Sequence, residues 1–320
     1  MRQINSVIEA INRSKKIGIT CHVSPDGDAL GSSLALMQGL LKLNKEAYIM
    51  SKESLPETFG YLPFCDEVNK NIDCILENTD TVIVLDCGNV GRINSNLSMP
   101  NRNYTLINID HHLSNDLYGD INYVNTDAAA VSEIIYEIFN MMNIEIDTDI
   151  ATCLYTSLVT DTGSFKHSNT TDLTHKIAGH LINVGIDFSQ IHRNIFENVK
   201  YSRIKLQGRV IENMYLTHDG KICIMKLTQE MLDEFDINNG DSSDIISLGT
   251  KIDTVEVAVL LKETEEGVKV SLRSKTIVDV RKIAEKFDGG GHVRASGFAS
   301  KKSLKEINKI IIKEIEKELI

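Results

Sequence analysis

The chain has 320 residues, 42% apolar and 25% charged, the balance of a globular protein long enough for two domains. Its net charge of −11 excludes the usual grip on a long nucleic-acid duplex, which needs many cationic phosphate contacts. No apolar run approaches the roughly 18 residues needed to cross a bilayer, and the opening MRQINSVIEAINRSKK lacks the apolar core of a secretory signal, so a cytoplasmic location without membrane contact is expected.

The first half alternates short apolar runs with helical periods, which predicts an α/β fold with a mainly parallel sheet flanked by helices. Ile17–Val23 reads as a strand followed by a Pro-Asp-Gly turn. A helix from about Asp28 then carries Leu30, Leu34, Met37 and Leu41 on one face. Thr81–Asp86 and Tyr104–Asp110 read as buried strands, and helices follow at about 128–142, 148–160 and 171–184. The polar stretch 189–212 has no Gly/Ser/Pro-rich spacer and reads as a helical connector. Beyond it the pattern restarts in a smaller α/β domain, with strands at Lys221–Leu227, Val255–Leu261 and Val268–Leu272. Asp279 is placed to cap a helix bearing Val280, Ile283, Ala284 and Phe287, which stops at the glycine run 289–291. A last helix opens with the capping-box pair Ser303 and Glu306 and turns Leu304, Ile307, Ile311 and Ile315 inward. The six cysteines, Cys21, Cys65, Cys74, Cys87, Cys153 and Cys223, include no CxxC pair, which excludes a zinc ribbon and argues against a disulfide framework.

Four separated segments put acidic or imidazole side chains where strands or helices end. They are His22, Asp26 and Asp28 in CHVSPDGDALGS, Asp86 in VLDCG, Asp110, His111 and His112 in NIDHHLSN, and Asp161 in LVTDTGSF. In a parallel α/β sheet the carboxyl ends of the strands share one edge, so residues distant in sequence converge there. Each piece also has a plain structural reading. The first is a polar turn with Asp28 capping the next helix, Asp86 is a turn residue, and Asp161 is a helix C-terminal residue, although a carboxylate there opposes the helix dipole. Adjacent imidazoles in a loop have no routine packing role, and the joint occurrence carries the weight. Carboxylates with imidazoles and no thiolates suit a hard or borderline cation such as Mn²⁺ or Mg²⁺. Two ions about 4 Å apart need a bridging carboxylate and several terminal ligands, and their chemistry is attack on phosphorus.

Near the C-terminus, Gly289–Gly291 followed by His292 exceeds what a helix stop requires. Glycines let backbone N–H groups approach an anion, and His292, Arg294 and Ser296 are further donor candidates. Arg273, at the end of a strand, reads either as a solvated strand end or as a guanidinium that holds a phosphate or stacks on a base.

The order and spelling of these motifs resemble the DHH phosphoesterase family, and DGGGHVRASGF (Asp288–Phe298) resembles the signature of its DHH-associated domain. The layout is similar to the nanoRNase-like branch, whose members are exonucleases on short oligoribonucleotides and phosphatases of 3′-phosphoadenosine 5′-phosphate (PAP). The resemblance implies a catalytic domain over 1–190, a helical connector over 191–212 and a substrate-binding domain over 213–320. It implies two Mn²⁺, with Mg²⁺ or Co²⁺ as substitutes: His22 and Asp26 on one, Asp28, His111 and Asp161 on the other, and Asp86 bridging. It further implies catalytic roles for Asp86, Asp110 and His112, with Asp110 orienting the histidines. Substrate contacts would come from His112, Arg273, Gly290, Gly291, His292, Arg294 and Ser296. The expected partners are short oligoribonucleotides and small nucleotides, with homodimerisation through an apolar helical face as an option. A soluble cyclic-dinucleotide phosphodiesterase is the alternative, and a nucleotide sensor without turnover is disfavoured because every expected ligand is present.

Overall fold

The computed structural model describes residues 2–99, 102–237 and 242–319, and the chain forms two units, Met1–Asn198 and Val199–Ile320. The first contains α1 (Arg2–Arg13), β1 (Lys16–Thr20), α2 (Gly27–Lys42), β2 (Glu46–Ile49), β3 (Thr81–Leu85), β4 (Thr105–Asp110) and β5 (Ile121–Val124). Then come α3 (Val131–Met142), α4 (Thr148–Asp161), α5 (Asp172–Val184), α6 (Phe188–His192) and a π-helical turn, Arg193–Glu197. The five strands are all parallel, in the order β2-β1-β3-β4-β5.

Side-chain alternation along the strands feeds two cores, as a sheet covered on both faces requires. Ile83, Leu85, Ile107 and Ile109 pack with Leu34 and Met37 of α2, while Val82, Val84 and Leu106 pack with Tyr48 and Met50. Helix α2 starts one residue earlier than the sequence suggests. Asp26, not Asp28, is its cap, accepting the N–H groups of Asp28 and Ala29. Leu41 is 40% exposed, and Leu40 takes the buried place beside Met37. The helix expected from 128 begins only at Val131, because Ala130 is extended (φ −157°, ψ 160°). Helix propensity favours the alanines at 128–130, but their backbone groups are engaged elsewhere.

The second unit runs α7 (Tyr201–Asn213), β6 (Tyr215–Thr217), β7 (Ile222–Leu227), α8 (Gln229–Glu234), α9 (Ser243–Thr250), β8 (Val257–Thr264) and β9 (Gly267–Ser274). It ends with α10 (Val280–Glu285), β10 (Gly290–His292), β11 (Ala295–Ser300) and α11 (Leu304–Glu318). Its sheet has the order β10-β11-β9-β8-β7-β6, with only β7 and β8 parallel. The capping box of Ser303 and Glu306 opens α11, and Ile307, Ile311 and Ile315 are fully buried. Leu206 and Val210 of α7 are buried with Met225 and Leu260, so the stretch read as a connector over 191–212 is divided at the boundary of the two units.

A buried carboxylate locks the turn after β9. Glu256 accepts the N–H groups of Thr276, Ile277 and Val278 at 3.0, 2.6 and 3.0 Å and the Thr276 hydroxyl at 2.9 Å. Burial alone would raise its pKa; the donors from Val278, Ile277 and Thr276 outweigh it and hold the carboxyl below the ordinary value. A depressed folded pKa contributes stability that is complete above the unfolded value, about 4.3, and is lost as pH falls through the folded one. Glu256→Gln should therefore cost about 1–3 kcal/mol at neutral pH. Denaturant melts of both proteins should show the gap shrinking below about pH 4.3; a gap independent of pH would refute this role.

Candidate metal centre

The chain runs from β1 to β2 on one side and returns to β3 on the other, so the strand order reverses between β1 and β3. A crevice opens at such a point outside the carboxyl ends of the strands. His22 lies two residues beyond β1, Asp86 follows β3 directly, and Asp110 closes β4 with His111 and His112 behind it. Asp26 and Asp28 stand at the start of α2, and Asp161 is the last residue of α4.

These side chains converge. His22, Asp26 and Asp86 form one group of potential ligand atoms within 4.8 Å of one another, Asp28, His111 and Asp161 form a second, and Asp86, Asp110, His111 and His112 form a third that overlaps them. Asp86 reaches both: its Oδ2 is 3.4 Å from His22 Nε2 and its Oδ1 is 3.7 Å from His111 Nε2. His111 Nε2 is also 3.7 Å from Asp28 and 3.6 Å from Asp161. Asp86 has φ +52°, a left-handed conformation that aspartate tolerates better than most residues. Its N–H is held by the Ile109 carbonyl at 3.1 Å, which pins β3 to β4 at this point.

Both imidazoles present Nε2 to the centre because Nδ1 is occupied. His22 Nδ1 donates to the Val23 carbonyl (2.8 Å) and His111 Nδ1 to the Ala128 carbonyl (3.1 Å). That is the usual outer support of a metal-binding histidine. Asp110 was expected to orient both histidines, but it holds only one ring. Its Oδ1 accepts His112 Nδ1 at 2.8 Å and the backbone N–H of His111 at 2.7 Å, while Asn115 braces its Oδ2 at 2.6 Å.

The electrostatics suit cations. Asp86 Oδ1 is buried without a hydrogen-bond donor among the described residues, an expensive state for a carboxylate oxygen. Burial and the neighbouring carboxylates of Asp86, Asp161 and Asp26 push Asp28 well up. Burial, against the pull of His111, lifts Asp161 to about 6. Burial alone would depress His22, but its bonds to Asp26 and Asp86 more than offset this and raise it to about 11. Crowding thus disfavours the charged form of Asp28 and, to a lesser degree, of Asp161 in the metal-free chain, and cation binding would displace any proton held there. An orphaned carboxylate oxygen, four converging aspartates and two outward-braced imidazoles fit a pair of divalent ions.

Several contributors escaped sequence reading. The Ser157 hydroxyl donates to Asp28 Oδ1 at 2.5 Å; its position four residues before Asp161 on one helical face was the available signal. The N–H of Val131, the first residue of α3, donates to both Asp28 oxygens at 3.1 and 2.9 Å. Asn108 ties the Cys87 carbonyl and Asn115 together beneath the centre.

In the second unit the glycine run does not end in a plain turn. Gly290–His292 pairs antiparallel with Ala295–Gly297 as an edge hairpin. Gly291 has φ +135° and Gly289 packs against Gly297, where a Cβ would lie 2.4 Å from the carbonyl oxygen. Gly290 faces open space. The His292 side chain is exposed, and no hydrogen bond engages its ring among the described residues. Two expected donors are already committed. The Ser296 hydroxyl is buried on the Val280 carbonyl at 2.6 Å, and the Arg294 guanidinium donates to the Thr276 and Val278 carbonyls. Arg294 braces the hairpin against the turn after β9 and Ser296 braces it against the start of α10, so both expected substrate donors carry a structural role. Arg273 is half-buried, with one guanidinium nitrogen on the Leu272 carbonyl at 3.0 Å.

The N-terminal domain of the DHH family matches residues 16–158, and the DHHA1 domain matches residues 219–318. A Thermus thermophilus protein named bifunctional oligoribonuclease and PAP phosphatase is 32% identical over 302 residues, covering 94% of this chain and 88% of its own. A Streptococcus mutans protein named probable bifunctional oligoribonuclease and PAP phosphatase is 33% identical over 318 residues, 99% of each. Among solved structures, an exopolyphosphatase-related protein from Bacteroides fragilis superposes with a TM-score of 0.89 at 29% identity, over 99% of this chain and 96% of that one. With both domains matched in order and near-full-length relatives above 30% identity, the chain belongs to the DHH family of phosphoesterases.

Proposed function

We propose that the chain is a two-metal phosphoesterase that hydrolyses short oligoribonucleotides to mononucleotides and removes a phosphate from PAP. The observation that carries the reaction class is Asp86, whose two oxygens face separate ligand groups from a buried, otherwise unsatisfied position. The substrate class rests on the near-full-length relatives named for those activities. His22 and Asp26 would hold one ion, Asp28, His111 and Asp161 the other, and Asp86 both. Mn²⁺ suits this oxygen and nitrogen set, with Mg²⁺ or Co²⁺ as substitutes. When bound, the ions would activate a water and neutralise charge on the phosphate in the transition state.

The protein's own groups do the positioning. Asp110 fixes the His112 proton on Nδ1 and draws the ring's pKa upward, leaving Nε2 to meet a phosphate oxygen. The Ala128 and Val23 carbonyls keep the other two imidazoles aimed at the centre. His292, exposed at the end of β10, is assigned to a nucleotide contact in the second unit, with the open backbone at Gly290 beside it. The net charge of −11 favours a short substrate over a long duplex.

The purified protein with Mn²⁺ should release mononucleotides from dinucleotides and short RNA, and AMP from PAP, with products identified by mass. His292→Ala should lower kcat/KM on a dinucleotide about tenfold or more, equivalent to roughly 1.4 kcal/mol, without changing Mn²⁺ binding. Turnover confined to cyclic dinucleotides or to pyrophosphate would overturn the proposed substrate. A wild-type kcat/KM for His292→Ala would overturn the assignment of that hairpin.

A further inference from the structure

The four residues Ala128–Val131 support every member of one ligand group. The Ala128 carbonyl takes the His111 Nδ1 proton at 3.1 Å, and the Val131 N–H serves both oxygens of Asp28. The link to Asp161 passes through Asn169. Its Nδ2 donates to the Ala129 carbonyl at 2.9 Å and to the Asp161 carbonyl at 3.2 Å. Glu133, 5% exposed, pins the same segment from below. One of its oxygens accepts the Ala129 N–H at 3.1 Å and the other the Thr174 hydroxyl at 2.6 Å. Ala129 is itself fully buried, so its two backbone groups depend on Glu133 and Asn169 for partners.

In the other ligand group His22 and Asp26 are supported locally, and Asp86 is held through its N–H by the Ile109 carbonyl of β4. His22 rests on the carbonyl of the next residue, and Asp26 on the amides of Asp28 and Ala29. The two groups therefore owe their geometry to different parts of the chain. Asn169 has one further distinguishing feature: its Oδ1 is buried and accepts no hydrogen bond among the described residues. The amide is held by its donor end, at the position where Asp161 and the 128–131 segment meet.

We propose that Asn169 and Glu133 are positioning residues for the Asp28–His111–Asp161 group alone, so that their loss loosens one of the two cations and spares the other. The inference rests on the two-ion reading above. A purely structural role for Asn169 would lower stability and weaken both ions or neither; a positioning role splits them.

The test is a Mn²⁺ titration of the full-length, metal-free protein by calorimetry, with wild type, Asn169→Ala and Glu133→Gln run side by side. Wild type should take up two ions. Each variant should keep one at wild-type affinity and bind the other about 10–100-fold more weakly, the usual effect of removing an outer support. Turnover of a dinucleotide by the variants should fall at limiting Mn²⁺ and recover at saturating Mn²⁺, with KM for the dinucleotide unchanged. Thermal melts without metal report any damage to the fold from Asn169→Ala, and Glu133→Gln, which keeps its volume, reaches the same segment independently. Two ions bound at wild-type affinity in both variants, or both ions weakened equally, would overturn the proposal. A wild type that takes up fewer than two ions would overturn the two-ion reading itself, and this inference with it.

Discussion

Asp86→Asn should lower hydrolysis at least about a thousandfold, a loss of roughly 4 kcal/mol of transition-state stabilisation. The substitution is nearly isosteric, and asparagine tolerates the left-handed φ of +52° at least as well as aspartate. The backbone bond to Ile109 survives, so the fold should persist. What changes is that one oxygen becomes an NH₂ facing either His22 or His111, each within 3.7 Å, where it can only repel a cation. Removing the charge relieves the crowding that drives Asp28 upward but also takes a bonding partner from His22, so the metal-free melting temperature should stay close to that of wild type. Activity with Mn²⁺ and a metal-free thermal melt check both halves. Near-normal turnover would remove Asp86 from the shared position between the ions.

Gly31→Ala should destabilise the first unit by about 2 kcal/mol, against the sign expected from helix propensity. Replacing an ordinary mid-helix glycine by alanine gains about 1 kcal/mol. At Gly31, however, a Cβ would sit 2.4 Å from the Cys153 carbonyl and 3.0 Å from the Ser157 nitrogen, both backbone atoms of α4. Overpacking of this kind costs about 1–3 kcal/mol, and the rigid partner leaves little room to yield. The clash lies between Asp28, three residues back on α2, and Ser157, which bonds to it at 2.5 Å. Prising the helices apart should therefore weaken Mn²⁺ binding as well as stability, and Gly31→Val should do more of both. Denaturant melts and a Mn²⁺ titration test this; a stabilised Gly31→Ala would mean that α2 and α4 are not held this closely.

Much of the architecture was legible because it rests on local rules. Apolar runs ending in Asp86 and Asp110 marked buried parallel strands, and the capping pair Ser303–Glu306 marked the start of α11. Strands β2, β5, β6 and β10 were missed because each spans only three or four residues without a distinctive alternation, and β11 was missed because its Ala-Ser-Gly opening gives a weak apolar signal. The alanines at 128–130 misled for a different reason: a tertiary demand on their backbone outweighed their helix propensity.

The residue types of the centre, and the expectation that strand ends gather them, came from the sequence alone. Chemical identity and position relative to a strand end are local properties, and periodicity reports them. The division of the ligands into two groups with Asp86 between them was implied by the family resemblance; only the tertiary structure decided the detail of its supports. It placed one oxygen of Asp86 toward each group, turned the hydroxyl of Ser157 and the N–H of Val131 onto Asp28, and spent Ser296 and Arg294 on bracing a hairpin. Those outcomes depend on which hydrogen-bond partner reaches each buried polar group first. That competition is settled by packing across residues far apart in the chain, and no local pattern encodes it.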